Sequence, residues 1–322
     1  MRVMSDTPWL SVIMPTYNGE TFIDHALNSL VAQRSEGLEL VAVDDGSTDR
    51  TVEILRAYSE RIRIKIHQQS HVGNWVVGTN IGLRSAAGDY VSLLHQDDVW
   101  MPGRLRHVRA ALASAGAPAL LVHPIWFIDP DGRRAGAWRC PLPAGRPLGP
   151  EFVLPRLLIQ DFIPVLGTVF PRDLAIDAGG MDPELWYTAD WDLWLRLAAK
   201  GPTWHLGKRL AAYRIHPKTQ TATRSTHLEG FRQQLETVLE RHLDDRTAGV
   251  IRPARFSVEV NVALAALSHG RRASILQLVA RFLALGPVGW WRYLRYSRIL
   301  ERAGSRARVS LRRSWKRSQA AA

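Results

Sequence analysis

Strand-like and helix-like patterns alternate along the first hundred residues, and this alternation most restricts the possible fold. Short runs typical of strands occupy residues 10–14, 38–43, 62–66 and 90–94. Between them, apolar residues recur at three- and four-residue spacing, which predicts helices. Strands that alternate with helices indicate βαβ units. We therefore expect an α/β fold in which helices flank a mostly parallel, twisted sheet.

The C-terminal part of the chain has a different pattern. Beyond about residue 226 only helix-like stripes remain, for example Phe231, Leu235 and Val238. We therefore predict an α/β domain over residues 1–225 and a helical C-terminal region over residues 226–322. With 322 residues and 46% hydrophobic residues, the chain is large enough to bury a full core.

The positive charge of the chain is concentrated in this C-terminal region. The net charge is +12, but residues 250–322 carry 15 Arg and Lys against two acids, whereas residues 1–249 carry 27 basic and 28 acidic residues. The spacing predicts a helix over residues 290–306 with arginines on one face. Those arginines are Arg292, Arg295, Arg298, Arg302 and Arg306, interleaved with Trp290, Trp291, Tyr293 and Leu294. Such a helix can lie on an anionic membrane surface. A nucleic acid partner is not expected because no known reader module is present, and an ordinary solvated face is the third reading.

The number of cysteines and the length of the apolar runs indicate the cellular compartment in which the protein is expected. The single cysteine, Cys140, excludes an intramolecular disulfide and favours a reducing environment. No apolar run reaches the length of a membrane-spanning helix, and the N-terminal sequence does not resemble a signal peptide. We expect a cytoplasmic protein, peripheral at the inner face of the cell membrane.

Three short acidic strings suggest the chemistry. Asp44 and Asp45 follow one predicted strand, Asp97 and Asp98 follow another, and Asp190 precedes a predicted helix. Ligands of open α/β sheets bind at the carboxyl ends of the strands. Carboxylates there can hold a nucleotide, a divalent metal ion and an attacking hydroxyl group. The strings therefore predict transfer of a group from a nucleotide-activated donor.

Each acidic string also has a purely structural reading. Asp97 and Asp98 offer the oxygen ligands that Mg²⁺ or Mn²⁺ prefers, but they could also cap the helix that follows. Asp44 and Asp45 could bind a base or ribose, but Asp-Gly-Ser-Thr-Asp is also good turn chemistry. Asp190 could be a helix cap. The tryptophans at 186, 191 and 194 could stack on sugars or belong to the core.

The strings occur together in an order that resembles a known family. They are Ser11-Val-Ile-Met-Pro-Thr-Tyr-Asn18, Val43-Asp-Asp-Gly-Ser-Thr-Asp49, Asn80-Ile-Gly-Leu83, Gln96-Asp-Asp-Val-Trp-Met-Pro102, Gly179-Gly-Met-Asp182, Asp190-Trp-Asp-Leu-Trp-Leu-Arg196 and Tyr213-Arg-Ile-His216. Over roughly residues 8–220 the chain resembles the inverting glycosyltransferases of family 2, which have the GT-A fold.

The resemblance implies a role for each candidate residue. It implies that Asp190 is the general base. It implies nucleotide contacts for Pro15, Thr16, Tyr17, Asp44, Asp45, Gly73, Asn80 and Gln96, and metal contacts for Asp97, Asp98 and His216. The implied reaction is metal-dependent, with Mn²⁺ or Mg²⁺, and moves a sugar from a nucleotide donor to a hydroxyl of a glycan or lipid-linked glycan. We expect a UDP-linked donor, and we expect the reaction to belong to cell-envelope polysaccharide synthesis.

Two positions depart from the family pattern. His95 and Ala189 stand where the family usually has acids, which leaves open a non-catalytic module that binds nucleotide sugars. The Gln-x-x-Arg-Trp string of processive members is absent, which favours addition of one sugar per event. A sugar nucleotidyltransferase is a further alternative, but Pro15-Thr-Tyr-Asn-Gly19 does not resemble its glycine-rich phosphate loop.

Overall fold

The computed structural model describes residues 7–34, 36–216 and 227–299. These residues form two compact units. The first contains the chain up to Ile125, with Pro143–Pro150 and Ile163–Arg214; the second contains Trp126–Leu142, Glu151–Phe162 and the chain from Ile215 onward. The expected boundary between residues 225 and 226 lies outside the described residues. Residues 126–142 and 151–162, which we placed in the α/β domain, group instead with the C-terminal helices.

Strands and helices alternate as the sequence predicts. The strands are β1 (Leu10–Thr16), β2 (Leu38–Asp44), β3 (Arg63–Gln68), β4 (Tyr90–Leu93), β5 (Val99–Trp100), β6 (Leu120–Val122), β7 (Ile125–Ile128), β8 (Arg134–Trp138), β9 (Pro147–Leu148), β10 (Thr168–Pro171), β11 (Thr203–His205) and β12 (Ala211–Arg214). The α-helices are α1 (Ile23–Val31), α2 (Thr51–Ala57), α3 (Trp75–Ser85), α4 (Arg104–Ala115), α5 (Pro150–Ile159), α6 (Arg172–Asp177), α7 (Ala189–Lys200), α8 (Leu228–Arg241), α9 (Ile251–Ser268), α10 (Ile275–Leu283) and α11 (Gly286–Ser297).

An eight-stranded sheet organises the first unit. Its order is β3-β2-β1-β4-β10-β6-β11-β9. The pairs β3–β2, β2–β1, β1–β4 and β6–β11 are parallel, and β10 and β9 join the sheet in antiparallel fashion. This confirms the predicted α/β class with a mostly parallel sheet. In the same unit, β5 pairs with β12 in antiparallel fashion.

The centre of the sheet is covered closely by α3. The apolar side chains of β1 and β2 are buried, as expected for parallel strands covered on both faces. A Cβ added to Gly82 of α3 would lie 2.4 Å from Cγ2 of Ile13, so the glycine lets the helix approach β1. This approach matters for the site because α3 begins beside the carboxyl ends of β1 and β2.

Two predicted elements differ from those observed. The apolar run from Ala119 to Ile128 predicts one further strand, but His123 and Pro124 separate β6 from β7. We expected a helix over residues 290–306, but α11 ends at Ser297, where Arg298 adopts a left-handed conformation. Arg302 and Arg306 lie outside the described residues.

The second unit has a small aromatic core. Ile159, Val250, Phe256, Tyr293 and Tyr296 are buried together, with Leu278, Phe282 and Leu285 packed against them. Gln160 is buried in the same unit, and its Oε1 accepts hydrogen bonds from Ser257 and Asn261, both at 2.9 Å. In the described part of the chain, no helix is both long and apolar enough to cross a membrane.

Candidate active site

The carboxyl ends of β1, β2 and β4 lie at one edge of the sheet, because these three strands are parallel neighbours. The backbone N–H of Asp45 donates to the carbonyl of Thr16 at 2.8 Å. Gln96 and Tyr17 exchange two hydrogen bonds of 2.9 Å through the Gln96 amide and the Tyr17 backbone. The segments after β1, β2 and β4 are thus held against one another.

The start of α3 links this edge to the start of α7. Trp75, the first residue of α3, packs edge-on against His95 with ring centroids 5.3 Å apart. Its indole N–H donates to the carbonyl of Trp186 at 2.7 Å, and the Asn74 amide donates to Pro183 at 2.9 Å. A chain of contacts therefore connects the surroundings of Asp45, Asp97 and Asp190.

The Asp45 carboxylate organises the connection between β3 and α3. Oδ1 accepts from Gln69 at 2.7 Å and from the Val72 N–H at 2.8 Å, and Oδ2 accepts from the Gly73 N–H at 2.8 Å. Nδ1 of His71 lies 3.0 Å from Oδ2. Partial burial opposes ionisation, but these hydrogen bonds outweigh it and lower the pKa of Asp45. Asp45 is thus an anion that holds residues 69–73 in place.

Asp44 has a different environment from its neighbour. Its carboxyl group is buried; Oδ1 accepts from the hydroxyls of Thr16 at 2.9 Å and Ser47 at 2.6 Å, and Oδ2 accepts from the Ser47 N–H at 2.9 Å. These contacts are those expected if Asp44 stabilises the turn that follows β2. The nucleotide contacts predicted for Asp44, and for Pro15 and Thr16, stay predictions.

Tyr17 and His71 form a stacked aromatic pair beside Asp45. Their ring centroids are 4.1 Å apart with planes inclined by 23°, and Tyr17 is 42% exposed. Gln96 fixes the backbone of Tyr17 through its two hydrogen bonds. An exposed, pre-positioned ring offers a surface on which a flat base can stack. This geometry is compatible with the predicted nucleotide contacts of Tyr17 and Gln96.

Asn80 fastens α3 to the segment before α7. Its amide N–H donates to the Met181 carbonyl at 2.7 Å, and its Oδ1 accepts from the Met181 N–H at 2.9 Å. At Gly180, which has φ +69°, a Cβ would lie 2.7 Å from Oδ1 of Asn80, so a glycine is needed there. The contacts seen for Asn80 are structural, and its nucleotide role remains a prediction. The N–H of Gly73, another predicted nucleotide residue, is held by Asp45.

The two predicted metal-binding aspartates differ in exposure. Asp98 is fully buried: its Oδ1 accepts from the Arg214 N–H at 2.9 Å, and its Oδ2 has no hydrogen-bond partner among the described residues. Burial, with the nearby charge of Asp97, raises the pKa of Asp98 well above its usual value despite Arg214. Asp97 is only partly buried, and its carbonyl accepts from Nε of Arg214 at 2.8 Å.

The donor set fits a cation that is shared with a ligand. In the described residues, no group of three or more His, Cys, Asp and Glu side chains is arranged to hold a metal ion. Magnesium-like ions are commonly held by one or two carboxylates plus substrate phosphates, and Asp97 can supply such a carboxylate. His216 follows β12 and belongs to the second unit, so its predicted metal contact stays a prediction.

His95 is uncharged in its pocket. Burial lowers its pKa, and the opposing charge of Asp97 does not reverse the shift. Its Nε2 is buried and has no hydrogen-bond partner within the described ranges. The position that usually carries an acid in the family therefore carries a neutral imidazole packed on Trp75.

Asp190 lies in the first turn of α7. The helix begins at Ala189 after Thr188, so Asp190 is not the cap that its structural reading required. Its Oδ1 accepts the Trp191 N–H at 2.9 Å. Burial raises the pKa of Asp190 to about 6 against the opposing effect of this hydrogen bond. Such a carboxylate is ionised at neutral pH and is more basic than an exposed aspartate, which suits a general base.

Asp192 is occupied by a structural partner. Its Oδ2 accepts from Nε and Nη2 of Arg196 at 2.9 and 2.7 Å, and Arg196 also donates to the carbonyls of Ala178 and Gly180. Trp191 and Trp194 are buried, which is the core reading of these tryptophans. Asp190 is therefore the better placed of the two acids in α7.

Sequence reasoning missed the residues that support the Asp45 carboxylate. Gln69 and His71 lie in a polar run after β3, at the carboxyl edge of the sheet, and that position was the available signal. Arg196 was visible four residues after Asp192, a spacing at which opposite charges meet on a helix.

Comparison with known proteins shows similarity to one family of glycosyltransferases. Residues 11–158 match the model of "Glycosyl transferase family 2". An uncharacterized glycosyltransferase of Rickettsia typhi is 25% identical over 242 residues, covering 72% of this chain and 71% of the relative.

Two solved structures share the fold. Residues 1–349 of S. aureus TarS in complex with UDP-GlcNAc superpose with a TM-score of 0.61 at 18% identity, covering 95% of this chain and 91% of that one. The mannosyltransferase PcManGT of Pyrobaculum calidifontis, in complex with GDP-Man and Mn²⁺, gives a TM-score of 0.59 at 15% identity, covering 97% and 88%. Together with the sheet topology, these matches show a GT-A-type fold, and residues 11–158 are similar to glycosyl transferase family 2.

Proposed function

We propose that this protein is an inverting glycosyltransferase that moves one sugar from a nucleotide donor, UDP-linked in our first expectation, to an acceptor hydroxyl. The observation that carries the proposal is the contrast within α7. Asp190 has a pKa raised to about 6, whereas Asp192 is bound to Arg196. One carboxylate is thus available as a base at the position where the family places it.

The residues at the sheet edge suggest how the donor is held. Tyr17 offers a stacking surface. The Asp45 carboxylate holds residues 69–73, and His71 of this segment stacks on the Tyr17 ring. Two proteins with a similar fold have been solved in complex with nucleotide sugars, TarS with UDP-GlcNAc and PcManGT with GDP-Man. These facts support nucleotide binding here without selecting the sugar.

A divalent cation would be held by Asp97 together with the donor diphosphate. When bound, it would supply Lewis-acid stabilisation of the charge on the departing nucleoside diphosphate. PcManGT is a neighbour that binds Mn²⁺ with its donor. Asp98, which is buried, would contribute by fixing the backbone of Arg214 and hence the position of Asp97.

Asp190 would remove the acceptor proton. As the acceptor oxygen forms a bond to the anomeric carbon, the bond from that carbon to the diphosphate oxygen breaks on the opposite face, and the configuration inverts. The acceptor proton passes to Asp190, which a pKa near 6 permits at neutral pH. We place the reaction in cell-envelope polysaccharide assembly, with a glycan or lipid-linked glycan as acceptor.

The test is donor turnover by matched variants. Purified protein is incubated with Mn²⁺ and a panel of UDP-, GDP- and dTDP-sugars, and release of nucleoside diphosphate is measured with and without lipid-linked acceptors. We expect one donor to be consumed, and consumption to fall roughly 10²- to 10⁴-fold in Asp190→Asn. Asp173→Asn, an exposed acid of α6, is the control and should retain activity.

A second candidate is a binding module without catalysis, which the neutral His95 and Ala189 favour. In that case a donor would bind, seen as a thermal shift, but no acceptor or lipid extract would cause turnover. Activity that survives in Asp190→Asn would instead remove that residue as the base.

A further inference from the structure

An exposed apolar surface occupies the last two described helices. We call it the α10–α11 outer face, and it consists of Ile275, Leu276, Val279 and Leu283 of α10 with Val288, Trp291 and Leu294 of α11. Leu276 is 84% exposed, Val288 65% and Trp291 57%. Soluble proteins rarely leave large apolar side chains exposed in such a cluster without a binding partner.

The exposure does not result from a helix that lacks contacts. Leu278 and Phe282, on the adjoining side of α10, pack against the aromatic core of this unit. At about 100° per residue, the four outer residues of α10 span roughly 100° of its circumference, next to the arc of Leu278 and Phe282. The apolar surface of α10 is therefore wider than the core can cover.

The second helix is held in the same manner. Gly289, Tyr293 and Tyr296 of α11 are buried, and the residues of the outer face lie on its opposite side. Trp290 joins the two helices: its indole N–H donates to the Phe282 carbonyl at 2.6 Å, and its ring stacks on Phe282 with centroids 5.8 Å apart. The outer residues are thus presented by two helices fixed to one core.

The segment that carries this face is strongly basic. Residues 267–299 contain six arginines and no Asp or Glu. Arg281 pairs with Glu259 of α9, and Arg292 donates to the Gly249 carbonyl at 2.6 Å. Arg271 and Arg272 are exposed just before α10, and Arg295 is exposed on α11. The sequence from residue 300 onward adds seven basic residues and one acid.

We propose that the α10–α11 outer face binds the interface of an anionic lipid membrane. Its apolar side chains would enter the boundary between headgroups and acyl chains, with Trp291 at headgroup depth and the arginines against lipid phosphates. A second copy of this chain is disfavoured as the occupant, because residues 267–299 contain six arginines and no Asp or Glu, so a symmetric pairing would bring like charges together. Nucleic acid is disfavoured because aliphatic side chains dominate the face.

The inference rests on the proposed function only for its biological setting. Vesicle binding requires neither donor nor acceptor, so loss of activity and loss of membrane binding are separate results. A protein that binds vesicles but consumes no donor would overturn the proposed function and leave this inference standing.

The experiment is flotation of the full chain with vesicles. Vesicles of phosphatidylcholine alone are compared with vesicles containing 30 mol% phosphatidylglycerol. We expect binding to the anionic vesicles that weakens with salt, and little binding to the neutral ones. Leu276→Gln with Leu283→Gln should weaken binding roughly tenfold per leucine, and Arg271→Ser with Arg272→Ser roughly fivefold per arginine. Arg84→Ser with Arg106→Ser, which removes two exposed arginines of α3 and α4, should leave it unchanged.

Four results would overturn the inference. The first is equal binding to neutral and anionic vesicles, and the second is equal weakening by the two arginine pairs. The third is a dimer in size-exclusion chromatography with light scattering that the leucine variant converts to a monomer. The fourth is an RNA or DNA oligonucleotide that binds through the face when vesicles do not. Circular dichroism and the melting temperature of each variant establish that it is folded.

Discussion

The raised pKa of Asp190 makes activity sensitive to mild acid. Burial raises this pKa to about 6, so the carboxylate is about 90% ionised at pH 7 and about 9% ionised at pH 5. If the ionised form is the base, the Asp190 contribution to kcat/KM falls about tenfold between these pH values. An aspartate with its ordinary pKa of 3.8 would still be about 94% ionised at pH 5.

The assay is nucleoside diphosphate release at substrate concentrations well below KM, in buffers of constant ionic strength from pH 5 to pH 8. Under these conditions kcat/KM reports groups of the free enzyme. We expect an acid limb with a midpoint near 6 that is absent from the residual activity of Asp190→Asn. A profile that stays flat down to pH 5, or a limb of equal midpoint in the variant, would refute the assignment. Circular dichroism at pH 5 checks that the fold survives.

Three further predictions concern the scaffold. Gly82→Ala should lower the free energy of unfolding by roughly 1–3 kcal/mol, because the new methyl group collides with Ile13. Gly230→Ala in α8, where the added methyl group meets open space, should raise it by roughly 0.5–1 kcal/mol. Urea denaturation measures both changes, and changes of the same sign would contradict the packing at Gly82. Burial, with the charge of Arg104, holds the pKa of His123 well below its usual value, so below pH 6.5 the unfolded chain binds a proton that the folded chain does not. The free energy of unfolding should therefore decrease as the pH is lowered. Between pH 7.5 and pH 5.5 the wild-type protein should lose about 1.4 kcal/mol more than His123→Gln, and equal losses in the two proteins would exclude this role of His123. Asp45→Asn should speed hydrogen exchange at the Val72 and Gly73 amides by roughly 10- to 100-fold while α7 is unaffected, and unchanged exchange would mean that the carboxylate does not hold the loop.

The sheet could be predicted from sequence because its signal is local. The buried runs that became β1, β2 and β4 are apolar and are separated by helical spacing, so the presence of these strands and their parallel arrangement follow from the pattern. The edge strand β3 was also found, since its isoleucines alternate with charged residues. The break between β6 and β7 was missed because the residues on both sides are apolar, and His123-Pro124 interrupts them without a polar run.

The sequence predicted which region of the fold holds the candidate site, but it did not predict the contacts of each side chain there. Adjacent aspartates look equivalent in sequence, yet Asp44 accepts hydrogen bonds from Thr16 and Ser47, whereas Asp45 accepts them from residues 69–73. Likewise Asp97 is partly exposed and Asp98 is buried against the Arg214 backbone. Which member of a pair faces solvent depends on the path of the chain after the strand. That path is set by partners 28 residues away for Asp44, 27 for Asp45 and 116 for Asp98. The grouping of residues 126–142 and 151–162 with the C-terminal helices depends on tertiary contacts of the same kind.

We propose that Asp45, Asp97 and Asp190 border one donor-binding cleft that carries a cation. The most direct measurement is anomalous diffraction at the manganese edge from crystals grown with Mn²⁺ and the matched nucleoside diphosphate sugar. We expect one strong peak about 2.1 Å from an Asp97 oxygen and in contact with the diphosphate. The base should lie beside Tyr17, and the anomeric carbon should lie on the side of Asp190. A nucleotide bound elsewhere on the molecule, or a sugar directed away from α7, would contradict it.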